Sequence, residues 1–445
     1  MYLKSPKKLF FTFCFFVVLL SSLNNYADTS ETSQDSRNFD SSQFVYKDGF
    51  VPLYLNTNEG RLLLLIDQFD QDFLYLGALA SGVGSNDIGL DRGQLGSTRL
   101  VNFRKNGNKV FLIHKNMSFR ASSNNVDETK SVRDAFAESI LWGFEILHHH
   151  DDGVIVDATD FYLEDAHGVA RRLSNTDQGK FKVDQSRSGL NFSMIKNFPK
   201  NTEVEAIITL KGEAKGNFIK SVVPTPDAVT VRQRHSFVEL PDDDYKPRVF
   251  DPRAGFSGIS FMDFAAPIDR PIMKRFIARH RLLKKDPDAE MSEPIDPIIY
   301  YLDRGTPEPV RSALLEGGNW WNQAFEAAGF KNAFRVELAP EGMDFLDVRY
   351  NVIQWVHRST RGWSYGASVR DPRTGEILKG HVSLGSLRVR QDYLIAQGLL
   401  QPFEKDKPSD KRMLEMALAR LRQLSAHEIG HTIGLSHNFS SSAAG

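Results

Sequence analysis

The chain has 445 residues, with 55 Lys and Arg against 56 Asp and Glu, 41% hydrophobic residues and a single cysteine. That length suggests two or three globular domains with ample apolar material, and the composition excludes a disordered polymer, a collagen and a disulfide-stapled miniprotein. A net charge of -1 with no basic block argues against nucleic acid as a partner, because counterion release needs concentrated Lys and Arg.

At the N-terminus, Lys4, Lys7 and Lys8 precede a largely apolar run from Leu9 to Leu20. This is the layout of a secretory signal peptide, and the run is shorter than the roughly 18 to 20 apolar residues that span a bilayer. Cleavage is expected after Ala27, which makes residues 1–27 a removable signal and the protein exported, either periplasmic or extracellular, without lasting membrane contact. Cys14 leaves with the signal, and the net charge of the remainder shifts to -4. Any metal site in the mature chain must then be built from His and carboxylates.

Residues 28–45 are polar and read as a tether. From residue 46 to 240 the segments FVPLYLN, RLLLLIDQF, DFLYLGALA, TRLVNFRK, KVFLIHK, GVIVDATDFYL, TEVEAIITLKG and AVTVRQRHSFVEL are short and rich in β-branched or aromatic residues. Gly, Asn and Asp turns separate them, which predicts a mostly antiparallel β domain. One helix is expected within it, SVRDAFAESILWGFEIL, where Val132, Phe136, Ile140 and Phe144 recur every four residues. Residues 241–293 are rich in Pro, Asp, Lys and Arg and read as an irregular connection.

From 294 to 445 strand and helix patterns alternate, giving an α+β chain overall. PIIYYLD is a strand, and EPVRSALLEGGNWWNQAFEAAGF is a helix entered at Thr306 and Pro307, with close packing expected at Gly317 and Gly318. FRVEL and LDVRYNVIQWV follow as strands, then a hairpin from WSYGASVRD through PRTG to EILKGHVSLG. A helix over Leu387 to Leu400, the polar loop QPFEKDKP and a last helix from about Asp410 complete the chain, the last with Leu414, Leu418, Leu421 and Leu424 on its buried side.

That last helix runs into LSAHEIGHTIGLSHNF. His427 and His431 are four apart, so on a helix they project from one face and can share one metal ion, with Glu428 placed beside the ion as a general base. Gly434 allows a sharp left-handed turn, after which His437 can swing back as a third ligand. Three histidines with an open fourth position describe a catalytic zinc site holding one Zn²⁺. The eleven-residue pattern should arise by chance in roughly four of a hundred thousand such sequences, so a solvated amphipathic helix is a poor competitor.

HEIGHTIGLSH is the zinc signature of the metzincin clan. With YYLDRG, EPVRSALLEGGNWWNQAFEAAGF and RYNVIQWVHRSTRGWSYGASVRDPRTGEILKG, it resembles the bacterial Met-zincin family, zinc-dependent metalloproteases with an N-terminal β-rich domain of uncharacterised function. The resemblance implies a zincin-like catalytic domain, with a mixed twisted sheet over two long helices. An edge strand, from SYGASV or its return ILKGHVSLG, would bind an extended peptide or protein substrate. The family follows its third histidine with a small subdomain and a Met-bearing turn. Here Gly445 comes eight residues after His437 and all nine Met precede the motif, so a piece of a longer protein is expected, its C-terminal subdomain missing and its own activity in question.

The expected activity is therefore peptide hydrolysis by a metal-activated water, with Glu428 taking the proton and passing it to the leaving amine. The competing class is a non-catalytic binding or scaffold protein whose zinc half is structural or vestigial. Other candidates read as structural: HHHDDG at 148–153 as a solvated turn, His235, His280, His357 and His381 as hydrogen-bonded histidines, and Trp320 with Trp321 as core packing. DRGQLGS at 91–97 matches no phosphate-binding pattern. The pattern specifies neither oligomeric state nor substrate.

Overall fold

The computed structural model describes residues 39–445 except 152, 360–361, 401–409 and 445. The expected signal peptide, most of the tether and the loop QPFEKDKP lie outside the described residues. No helix among those described is long and apolar enough to cross a membrane. The described residues belong to one compact unit.

The chain is α+β, and its N-terminal part is a mostly antiparallel β domain built on one 13-stranded sheet. Across the sheet run Val45–Lys47, Leu53–Asn56, Arg61–Ile66, Gly153–Asp157, Ser139–His150, Lys109–His114, Arg99–Asn106, Asp72–Ser81, Ala228–Val238, Asn201–Ala214 and Gly179–Val183. Two short strands, Gly189–Leu190 and Lys196–Phe198, also pair along Asn201–Ala214. Alternating side chains such as Leu62, Leu64 and Ile66 enter an aromatic core with Phe73, Tyr75, Phe103, Phe144, Phe161 and Phe237. The last tether residues are ordered too, with Phe39 and Phe44 packed on Leu63, Leu65 and Ile155.

The helix expected over residues 131–147 is corrected. The helix is Val126–Ala135, it buries nothing, and Ser139–His150 is a 12-residue strand between Lys109–His114 and Gly153–Asp157. A spacing of four is even, so Val132, Phe136, Ile140 and Phe144 fit one strand face as well as one helix face. The β-prone run Ile140–Trp142 and two waiting partner strands favour the strand.

The stretch 241–293 contains a hairpin, Gly258–Asp263 with Met273–Ile277, whose first strand also pairs in parallel with Phe119–Arg120. Its Pro and charged residues flank and turn these short strands. Cross-strand hydrogen bonds order it, together with the buried side chains of Phe261 and Ile277.

The C-terminal sheet has five strands, ordered Phe334–Leu338, Ile298–Leu302, Asn351–Val356, Ile377–Gly385 and Tyr365–Arg370. The first three pairings are parallel and the last is antiparallel, with the turn at PRTG as expected. Tyr365–Arg370 is thus the edge, and its return strand is interior. The helices Val310–Asn319 and Asp410–Thr432 cover one face through Val310, Leu314, Leu421 and Ile429. Gly317 and Gly318 permit that approach: a Cβ on Gly317 would lie 2.1 Å from the Arg422 carbonyl, and one on Gly318 2.9 Å from Ile429. On the last helix Leu421 is buried, with Leu418 and Leu424 partly so, but Leu414 is 40% exposed while Met413 and Ala417 are buried. At the start of the helix the buried stripe, Met413, Ala417 and Leu421, is therefore rotated by about one residue from the expected one. The strand expected over LDVRYNVIQWV begins only at Asn351, since Asp347 turns the chain by accepting from Arg349 N–H.

The two sheets meet through Leu74, Leu76, Leu100 and Val238 against Val348 and Val369. The two regions are also joined by a buried ion pair between Arg358 and Asp91, with Nε–Oδ1 at 2.8 Å and Nη2–Oδ2 at 3.0 Å.

Candidate metal centre

The helix Asp410–Thr432 is held against Val310–Asn319 by the Ser425 hydroxyl, which donates to the Leu314 carbonyl at 2.7 Å, and by the Trp321 indole, which donates to the Ala426 carbonyl at 2.8 Å. Trp321 packs on the core beside this helix, whereas Trp320 is 43% exposed. The helix ends as the motif predicts. Gly434 takes φ of +113°, and Leu435 N–H donates to the Gly430 carbonyl at 2.9 Å. The chain then turns back along the helix end.

That turn brings His437 to the other two histidines. His427 Nε2 lies 3.1 Å from His437 Nε2, and His431 Nε2 lies 3.2 Å from it. His427 and His437 are exposed and His431 is half-buried. Among the described residues, these three form the one cluster of His, Cys, Asp or Glu able to converge on a metal ion, their ligand atoms within 4.8 Å of one another. The His431 Nδ1–H donates to the Leu435 carbonyl at 2.9 Å, which leaves its Nε2 bare and aimed at the cluster. Burial, then His431 and His437, push the His427 pKa down and favour the neutral form that ligates.

Three imidazole nitrogens crowded at hydrogen-bond distance present more lone pairs than protons to share. A cation among them resolves that conflict. Tetrahedral zinc with Zn–N near 2.0 to 2.1 Å separates its ligand nitrogens by about 3.3 Å, so the donor set fits zinc in both chemistry and spacing.

Glu428, which follows His427 on the same turn of helix, is 5% exposed. Burial pushes its carboxyl up to about 7, opposed by the Arg388 guanidinium and by a hydrogen bond from the Gly366 N–H. Gly366 belongs to the edge strand Tyr365–Arg370, and a Cβ there would lie 2.3 Å from the Glu428 carbonyl and 3.0 Å from His431 Cβ. The edge strand therefore lies directly on the turn of helix that bears the motif. Neither Gly366 nor Arg388 was singled out from the sequence. A glycine inside the strand YGASVR is the available signal for Gly366, since it marks close backbone approach; Arg388 gives none.

The remaining candidates are not brought to the centre. His235 bonds the Tyr75 hydroxyl at 2.9 Å, His280 the Tyr300 hydroxyl at 3.2 Å and His357 the Ser386 hydroxyl at 2.9 Å. His381 is buried, and its Nε2 has no hydrogen-bond partner. The histidines of HHHDDG lie at the end of the strand Ser139–His150, where the His148 ring packs near Phe39.

A helix-borne HExxH with a third histidine folded back onto it defines a zinc metallopeptidase centre as a class. Residues 409–445 match the family model described as Met-zincin, and residues 93–285 match a domain of unknown function, DUF5117. The resemblance to the Met-zincins carried by HEIGHTIGLSH is thereby shown, together with the N-terminal β domain that goes with it. No curated protein and no solved structure matches the chain. The family match and the three-histidine cluster together support a zinc metallopeptidase.

Proposed function

We propose that the chain is an exported zinc endopeptidase of metzincin type, whose residues 294–445 form a zincin-like catalytic region behind a β-rich region at 46–240. The observation that carries the reading is the convergence of His427, His431 and His437 at the end of the helix whose motif turn also bears the buried Glu428. His427, His431 and His437 would hold one zinc ion. When bound, zinc supplies electrophilic polarisation of a carbonyl and lowers the pKa of a water toward neutrality.

Glu428 takes up the proton of the attacking water on its carboxylate and delivers it to the leaving amine as the C–N bond breaks. Its low exposure and the Gly366 N–H hold it in one orientation for both transfers. Tyr365–Arg370 pairs with Ile377–Gly385 alone among the described strands, so its other edge is available to an extended peptide laid beside the histidines. Export rests on Lys4, Lys7, Lys8 and the run Leu9 to Leu20, and N-terminal sequencing of the exported chain is expected to begin at Asp28.

The deciding experiment is Glu428→Gln. Hydrolysis of a casein or peptide-library substrate is expected to fall by about 100-fold or more, as for loss of a general base, with one zinc per chain retained. Wild-type turnover in that variant would sink the assignment of Glu428.

A further inference from the structure

The loop carrying His437 is met by a segment from far upstream. Ser257 N–H donates to the Gly434 carbonyl at 2.8 Å, and the Ser257 hydroxyl donates to the same oxygen at 3.1 Å. Ser436 N–H donates to the Gly255 carbonyl at 2.8 Å, and Phe256 and Leu435 form an antiparallel bridge. Below the bridge Ala278 N–H donates to the Ser257 carbonyl at 2.8 Å. A Cβ on Gly434 would lie 2.0 Å from the Ala278 carbonyl, so the loop is pinned at close backbone range.

Both ends of this contact reach the histidines. Leu435, bridged to Phe256, offers the carbonyl that fixes the His431 ring, and Ser436, bonded to Gly255, immediately precedes His437. The segment in turn leads into Gly258–Asp263, which is paired with Phe119–Arg120, and it lies inside the stretch that matches DUF5117.

We infer that Gly255–Ser257 is a clamp that holds His431 and His437 in ligating geometry, making the upstream region a permanent part of the metal centre and not a removable prosegment. This rests on the reading of the three histidines as zinc ligands. Gly255 and Ser257 act as positioning residues, through the loop backbone and without touching the ion. Outer partners of this kind are worth about 10- to 100-fold in metal affinity.

The test measures zinc affinity of the full chain by chelator competition, and the visible absorption of its Co²⁺ form. Ser257→Pro removes the N–H and hydroxyl together, and zinc affinity is expected to fall by about 10- to 100-fold, with a weakened tetrahedral Co²⁺ band. Gly255→Val keeps every donor but opposes the φ of +68°, shifting the carbonyl that Ser436 uses. It is expected to lose about tenfold and decides the matter if the proline variant does not fold. Ser257→Ala, which keeps the N–H bond, should lose less than either.

Leu64→Ala, destabilised in the aromatic core of the N-terminal sheet, should keep wild-type zinc affinity. Wild-type affinity and spectrum in folded Ser257→Pro or Gly255→Val overturn the clamp while leaving the zinc reading intact. An equal loss in Leu64→Ala overturns it as a mere stability effect. A wild-type chain that binds no zinc overturns the zinc reading and the clamp with it.

Discussion

The N-terminal sheet and the C-terminal helix both depend on histidines, and they treat them in opposite ways. His235 sits 1% exposed among Tyr75, Phe161 and Tyr162, with the Tyr75 hydroxyl on its Nδ1, and burial pushes its pKa down to about 3. It is a neutral, hydrogen-bonded core residue. The motif histidines stand at the open end of a helix, with bare nitrogens turned toward one another. Aromatic enclosure makes an imidazole a spacer; convergence at a solvent-facing surface makes it a ligand.

The sharpest way to break that contrast is His431→Ala. Zinc binding, read by chelator competition, is expected to drop by more than about 100-fold, beyond the cost of losing an outer partner. The zinc-free melting curve should move by no more than about 1 kcal/mol, because the ring is half-buried and outside the core. A large loss of fold with zinc retained would place His431 with the spacers. Next in size is Asp91→Ala at the seam between the two regions. It strands the Arg358 guanidinium, whose side chain is 3% exposed, and a broken buried pair costs about 3 to 5 kcal/mol. Denaturant unfolding should show the loss as a lower midpoint.

Acid tests the buried side of the comparison. His235 and His381 are held down to about 3 and His280 to about 4, all by burial first, whereas an unfolded chain protonates such rings near 6.5. Below pH 6.5 the unfolded state gains protons that the folded state refuses. The stability these rings confer is complete above pH 6.5 and is lost as pH falls toward 4 and then 3. Each ring should contribute about 2 to 3 kcal/mol of loss by pH 4.5. Glu203, raised to about 7 chiefly by burial, titrates in the opposite sense and loses its contribution as pH rises through 7. The difference between wild type and His235→Gln therefore carries the result, not the total slope. An unchanged pH slope in that variant would remove His235 from the account.

Much of this molecule is legible in its sequence, for reasons that differ by element. Strands such as Arg61–Ile66 announce themselves because their apolar runs are bounded by turn residues, and the motif is legible because metal ligation demands fixed residue types at fixed helical spacing. Ser139–His150 carries a four-residue spacing that serves helix and strand alike, and only partner strands distant in sequence arbitrate. The Gly255–Ser257 contact is invisible for a related reason. It is made by backbone atoms between segments remote in the chain, and backbone donors carry no residue signature. Gly434 shows the intermediate case: the sequence marks its turn, but not the Ala278 carbonyl that forbids any larger residue there.

The smallest effect concerns the aromatic residue nearest the motif. Trp321 was read as core packing, and its ring does pack against the C-terminal core, but its indole also reaches the carbonyl of Ala426, immediately before His427. Trp321→Phe keeps most of the apolar area and deletes that donor. The Ala426 carbonyl remains within its helix, so no buried acceptor is abandoned and the loss should be that of one net hydrogen bond, about 1 kcal/mol. Chemical denaturation is expected to report that loss while zinc affinity changes by less than about threefold, since Ser425 still ties the same turn to Leu314. A loss of zinc affinity of tenfold or more would mean that the tryptophan sets the position of His427, and would move it from the packing side of the comparison to the metal side.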